Sequence, residues 1–403
     1  MQIVEPPASL KKKPSNALLQ LGFRPFFLGA AGFSALSIAL WMLHYLTGSY
    51  QPVQSISPLY WHAHEMIYGY ALAVIAGFLL TAVKNWTGLK TIEGRALGLL
   101  FFLWLAVRLC FIFGETFFTL AFVLDSLFSL GLIVSVARPI IKVRQWKQLA
   151  ILIKLLLLGG FNSLFYLQAL DLYNPSQGGA YLAIYAGLYL VISIVLTIGR
   201  RVVPFFIERG VDYSVQLFNS NWLDAGSLIS VIGFFICEVF LQQPDIAAYF
   251  ALSVFAVNTV RLIGWHTHGI WGKSLLWSLY LALWFICTGF LLIACSHFFG
   301  ISKFLGIHAL AFGGIGSITL GMMARVSLGH TGRSIQHPSP VISFALGLLI
   351  IGTFTRVLLP LLMPSFYSTF IGLSALLWIC AFVLFVLVYT PILIKPREDG
   401  RPG

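Results

Sequence analysis

Charge is what this sequence has least of. Of its 403 residues only 9% are charged, against 59% apolar, and acidic residues (13) are about half as numerous as basic ones (25). A surface facing water needs far more polar cover, so the two or three soluble domains this length would ordinarily suggest are excluded, and the bilayer has to be the solvent. Cysteine is scarce as well. Cys110, Cys237, Cys287, Cys295 and Cys380 all sit inside apolar runs with no CxxC pair, which suggests neither a disulfide framework nor a thiolate metal site. There is no GxxxxGK[ST] phosphate loop, no GxGxxG opening a helix after a strand, no HExxH and no CxxCH. ATP hydrolysis and covalent haem attachment are therefore set aside. So is a β-barrel, because runs such as Leu155-Leu156-Leu157-Leu158 are apolar on every side instead of alternating.

What is present is a series of apolar runs, each long enough to cross a hydrocarbon core of about 30 Å as a helix. Twelve are read, over 26–47, 60–82, 95–113, 117–137, 149–170, 180–199, 222–241, 246–264, 274–296, 304–325, 340–361 and 367–394. The expected fold is an all-α integral membrane bundle of about twelve transmembrane helices. A polar, basic tail spans 1–17, a single transmembrane domain 18–395, and a second tail 396–403.

Orientation follows from Lys and Arg, which are retained on the cytoplasmic side of short loops. They alternate cleanly: Lys11–Lys13, then Lys84/Lys90/Arg95, Arg138/Lys142/Arg144/Lys147, Arg200/Arg201/Arg209, Arg261/Lys273, Arg325/Arg333 and Lys395/Arg397/Arg401. Both termini are expected to be cytoplasmic. The net charge of +12 is thereby a topology signal, and scattered over seven short segments it makes no nucleic-acid patch. The first apolar run is too long for a cleavable signal peptide. An internal echo, Pro25-Phe26-Phe27 against Pro204-Phe205-Phe206, hints at six-plus-six duplication.

Nine histidines stand out in so uncharged a chain, because an imidazole in or beside hydrocarbon needs a partner and is often functional. His44, His62, His64, His297 and His308 fall near outer helix ends; His266, His268, His330 and His337 fall near the cytoplasmic face. The sharpest segment is Trp61-His62-Ala63-His64-Glu65-Met66, two imidazoles and a carboxylate opening the second run. In a regular helix positions two apart point about 200° from one another, so one ring could face a metal or haem while Glu65 orients a ring through its free N–H. The bland alternative is a polar helix start at the interface.

His308 is expected at similar depth, as a ligand from across the bundle, on a helix whose Gly313, Gly314, Gly316 and Gly321 either permit close packing or leave room for a flat cofactor. A cytoplasmic vestibule is expected from Arg24, Asn85, Trp86, Arg200, Arg201, Asn258, Arg261, Trp265, His266, Arg325, His330 and Arg333, able to hold haem propionates, phosphate or another anion. Positive-inside anchoring accounts for any one arginine equally well. His266 joins His62, His64 and His308 as a candidate metal ligand. Arg108 and Asp125, inside neighbouring apolar runs, are expected to pair structurally.

Several phrases together resemble the NnrS family: Leu21-Gly22-Phe23-Arg24-Pro25-Phe26-Phe27; Trp61-His62-Ala63-His64-Glu65-Met66 with Gly69-Tyr70; Gly77 to Ala82 with Asn85-Trp86-Thr87-Gly88; Arg201 to Phe206; Asn258 and Arg261 before Gly264-Trp265; and Gly321-Met322-Met323-Ala324-Arg325 with Ser327 to Arg333. Lys84 departs from the pattern, where Pro is expected. The resemblance, over about 17–395, implies a bacterial inner-membrane protein with non-covalent haem and copper that acts in nitric-oxide metabolism and nitrosative-stress resistance. On that reading nitric oxide or a metal-nitrosyl species is the ligand and the lipid bilayer the surrounding partner. His62, His64, His308 and His330 are candidate haem ligands, Glu65 a proton-relay group, and Arg24, Arg201, Asn258, Arg261, Arg325 and Arg333 cofactor contacts. The alternatives are a transporter exporting nitrosylated iron or thiol complexes and an enzyme resembling haem-copper oxidases, against which the lack of paired adjacent histidines argues. No electron donor is named by the sequence.

Overall fold

The computed structural model describes residues 16–51, 53–176 and 178–399. The basic tail with Lys11, Lys12 and Lys13 lies outside them, as does Arg401. Among the described residues there is no strand, and twelve helices are long and apolar enough to span a membrane. In chain order they are α1 Phe23–Thr47, α2 Pro58–Thr87, α3 Arg95–Phe113, α4 Glu115–Lys142, α5 Trp146–Ala169 and α6 Gly179–Gly210. The second six are α7 Asn221–Leu241, α8 Pro244–Trp265, α9 Ser274–Phe299, α10 Lys303–His330, α11 Pro340–Leu362 and α12 Pro364–Ile394.

Local sequence sets many of the ends. Ser57 caps α2 by accepting from the Tyr60 N–H and is followed by Pro58, whose missing N–H costs nothing in a first turn. Pro244 and Pro340 open α8 and α11 in the same way. Gly88 stops α2 in the left-handed region at φ 70°. Several helices run further at the basic end than the hydropathy suggests, most of all α6, which continues through Pro204 to Gly210. Arginine and lysine end the apolar run but are good helix formers, so the helix outlasts the hydrocarbon.

Burial divides the bundle into a centre and a rim. The window of α2 is 83% buried and that of α10 78%, against 33% for α4. α2, α6, α9 and α10 pack on one another and form the centre, while α1 bridges α2 to α12. The glycines of α10 serve this packing: a Cβ at Gly313 would lie 2.7 Å from Phe285 and Thr353, at Gly314 2.5 Å from Ile286, and at Gly316 2.4 Å from Trp378. Those contacts are with side chains of α9, α11 and α12, the close packing that was one of the two readings of these glycines. The start of α1 and the end of α12 meet at one end of the bundle, where Arg24 Nη1 donates to the carbonyls of Leu393 and Lys395, both 2.7 Å away. The Pro-Phe-Phe echo falls at the start of α1 and the end of α6, positions that a six-plus-six repeat would not superpose.

Three helices leave regular geometry: α2 over Glu65–Ala71, α7 over Ile236–Leu241 and α10 over Ala309–Gly316 each widen to a π-helix. Two of these stretches begin directly beside the expected histidines.

Candidate functional site

The Trp61-His62-Ala63-His64-Glu65 segment is the regular turn that leads into the π stretch. Within it Glu65 pairs with its neighbour His64, whose Nδ1 is 2.9 Å from Glu65 Oε1. The other ring nitrogen of His64 lies 2.8 Å from Asn162 Oδ1 on α5, and the ring stacks on Phe165 at 4.3 Å. Arg108 of α3 donates to Glu65 Oε1 at 2.5 Å and to Asp125 Oδ2 of α4 at 3.2 Å, and the Tyr166 hydroxyl donates to the same Asp125 oxygen at 2.9 Å. The expected Arg108–Asp125 pair is present. It is no separate structural pair, for it is joined through Glu65 to the histidine segment.

All four ionisable members of this network are essentially excluded from solvent. Two carboxylates against one guanidinium leave a negative charge over, and an isolated charge in so apolar a place is costly. Both His64 nitrogens face oxygen atoms, Glu65 Oε1 and Asn162 Oδ1, so the ring is tied into the network at both ends. Glu65 Oε2 and Asp125 Oδ1 are buried without a hydrogen bond, which leaves the set acceptors to spare.

His62 turns the other way, onto α1, where its ring stacks on Trp41 at 4.7 Å. Its Nδ1 is buried without a partner. Arg356 of α11 and His308 of α10 are its charged and titratable neighbours. His308 donates from Nδ1 to the Phe304 carbonyl at 2.8 Å and accepts at Nε2 from Arg356 Nη2 at 3.2 Å. His62 and His308 feel each other and Arg356 electrostatically, and Arg356 touches His308. His64 does not join them, and His266 lies at the opposite end, exposed, with its Nε2 accepting from Trp271 at 3.2 Å. Among the described residues no group of three or more His, Cys, Asp or Glu side chains is placed to hold a metal.

The single cytoplasmic vestibule resolves into three places. Arg24, His330, Arg333 and Arg397 gather where α1, α10 and α12 end: His330 packs on Phe23, and Arg333 pairs with Glu398 at 3.1 Å. Arg325 lies over the Phe206 ring at 4.0 Å. Arg200, Arg201 and Arg261 line a cavity of about 710 Å³ between α5, α6, α7 and α8, together with Lys147, Lys154 and Asp224. Asn258 is a packing residue beside it, accepting from Arg261 at 2.7 Å and from Ser227 at 3.1 Å.

The family phrases quoted above fall at the two ends of this bundle, the segment leading to Glu65 at one and the basic helix ends at the other. A family model described as NnrS protein matches residues 17–397. The chain belongs to the NnrS family. Membership points to a membrane protein of the nitric-oxide response, and the twelve spans make this NnrS chain multi-pass. No curated protein matches the sequence.

Haem and copper, expected from membership in the NnrS family, meet the geometry differently. The large cavity has room but no histidine in its wall, and a second cavity, apolar and lined by α1, α2, α6 and α10, measures about 70 Å³. Neither joins space for a macrocycle to an imidazole. His62 and His330 are the two candidate ligands whose rings make no hydrogen bond, whereas His64 and His308 have both nitrogens engaged. Of these, His62 has a buried ring nitrogen that no protein group satisfies.

Sequence reasoning missed Asn162, Tyr166, Lys154 and Arg356. Arg356 and Lys154 carried a usable signal, since each is a lone cation inside an apolar run.

Proposed function

We propose that this chain, in the bacterial inner membrane, binds or processes nitric oxide or a metal-nitrosyl species at the outer end of the bundle, with copper held by His62 and His308. What carries the reading is the His62 ring, held on Trp41 with a buried nitrogen that no protein group satisfies and with a second imidazole nearby. Two imidazoles leave coordination positions open, and bound copper would supply a place there for a diatomic. The chain's own residues do the rest. Copper would take His308 Nε2 in place of Arg356, whose freed Nη2 would then donate to an anionic group arriving beside the two rings. The His64–Glu65–Arg108–Asp125 network, one turn away along α2, places Glu65, with one carboxylate oxygen unsatisfied, as the proton-relay group. No step here rests on haem.

The test is metal analysis for copper and iron of detergent-purified protein from haem-replete cells, with absorption spectra oxidised and dithionite-reduced, with and without nitric oxide. Copper should be present, and lost in both His62→Ala and His308→Ala while the far-ultraviolet circular dichroism is unchanged. Protein free of both metals would sink the reading.

A transporter is the second reading, and the three π segments favour it, because interrupted helices near a polar site are a transporter's means of binding and moving a substrate. Flux of a nitrosylated iron complex in sealed vesicles, independent of redox state and lost on Arg356→Gln, would select it.

A further inference from the structure

The cavity of about 710 Å³ between α5, α6, α7 and α8 is not used by the reading above. Its shape is a trough. On α6 the lining runs from Tyr189 to Arg201 and on α7 from Asp224 to Ile236, twelve residue steps in each case. At 1.5 Å per residue that is about 18 Å, close to the depth of one leaflet of a hydrocarbon core about 30 Å thick. Ile153 and Leu157 on one lip and Leu228, Ile232 and Ile236 on the other are between 40% and 52% exposed, so the trough opens sideways onto the region that lipid chains fill. Phe161 and Phe240, with ring centroids 6.1 Å apart, bridge α5 and α7 beyond its far end.

All the charge lies at the other end, which is the basic end of the bundle. Five cations, Lys147, Lys154, Arg200, Arg201 and Arg261, share the wall with one acid, Asp224. Asp224 is paired with Arg200 and, at 2.9 Å, with Arg261. Arg201 meets the neutral Gln148 at 3.1 Å, and Lys154 donates to the Ser193 carbonyl at 3.1 Å and to Thr197. Lys147 makes no ion pair among the described residues. Three cations thus stand uncompensated at the head of an apolar trough. Positive-inside anchoring explains Lys147 and Arg201 but not Lys154, which is half-buried two turns deeper on α5.

We propose that this trough is a specific site for an anionic phospholipid of the basic-side leaflet. Its phosphate is held among Lys147, Lys154 and Arg201, and one acyl chain lies along Leu157, Leu190, Leu228 and Ile232. The lateral opening and the leaflet-long apolar wall select a lipid over a free anion. The three cations without a carboxylate select an anionic headgroup over a zwitterionic one.

The test measures thermal unfolding of delipidated protein in detergent titrated with phosphatidylglycerol, phosphatidylcholine or inorganic phosphate. Phosphatidylglycerol should raise the midpoint at concentrations where the other two do not. For Lys154→Gln/Arg201→Gln the concentration giving half the shift should rise about thirtyfold, as expected for two cations beside an anionic headgroup. Ile232→Trp, at a lipid-facing position, should fill the trough and abolish the shift; should the double variant fail to fold, this variant decides. Equal protection by phosphatidylcholine would reduce the trough to ordinary lipid contact. Equal protection by phosphate would make it a free-anion site. Either result overturns the proposal, as does an undiminished phosphatidylglycerol response in Ile232→Trp.

Discussion

Arg108 is the residue on which the buried network turns, because it is the guanidinium between Glu65 and Asp125 and all three are sealed from solvent. Removing it leaves two carboxylates facing each other across an apolar gap. Arg108→Leu should therefore destabilise the protein by about 3–5 kcal/mol, and Arg108→Leu/Glu65→Leu/Asp125→Leu should regain most of that loss. Thermal unfolding in detergent measures both, and a triple variant no more stable than the single one would show that the charges matter for something besides mutual compensation. A close approach supports the same spot: a Cβ at Gly69 would fall 2.6 Å from Arg108 Nη1 and 2.7 Å from Phe33, so Gly69→Ala should cost about 1–3 kcal/mol by overpacking. At this scale the sequence was half legible. Arg108 and Asp125 announced themselves as charges in adjacent apolar runs, but the link to Glu65 depends on how α2 and α3 are rotated against each other, which residue types do not encode. Asn162 offered no signal of its own, since one amide in an apolar run is as readily satisfied by backbone as by a histidine.

Helix α2 shows what a change of pitch does to a site. Widening over Glu65–Ala71 takes up an extra residue within one turn, so the segment before it keeps His64 on Glu65 and His62 on Trp41. Inserting one residue just past this stretch, after Leu72, should swing the His62–His64 segment by about 100° relative to the rest of α2. Helix content by circular dichroism should be retained while copper binding and the spectral response to nitric oxide are lost; an insertion variant that keeps both would show that this orientation is dispensable. Helix boundaries at the outer end followed from turn residues, whereas those at the basic end ran long in α2, α4, α6 and α10, because hydropathy reports where the hydrocarbon stops and helix propensity does not stop there.

For the whole molecule, the twelve spans and the neighbouring ends of α1 and α12 put the start of the first span and the end of the last on one side. The basic end should be cytoplasmic. Cysteines introduced at Ser49 and Ser55 should react with an impermeant thiol reagent added outside intact cells, and cysteines at Lys90 and Arg144 only after the cells are opened; the reverse pattern would invert the assignment. Twelve spans, their number and order, and the shared side of the charged loops were determined by the sequence alone. Each rests on a local sum of transfer free energies over about 20 residues, which needs no knowledge of neighbours. Tertiary structure alone decided that the arginines divide among three places, that the α10 glycines are filled by neighbouring side chains, and that His62 and His64 serve different sites. Those outcomes depend on helix rotation and packing, and every face of a membrane helix is apolar enough to be satisfied by either lipid or protein.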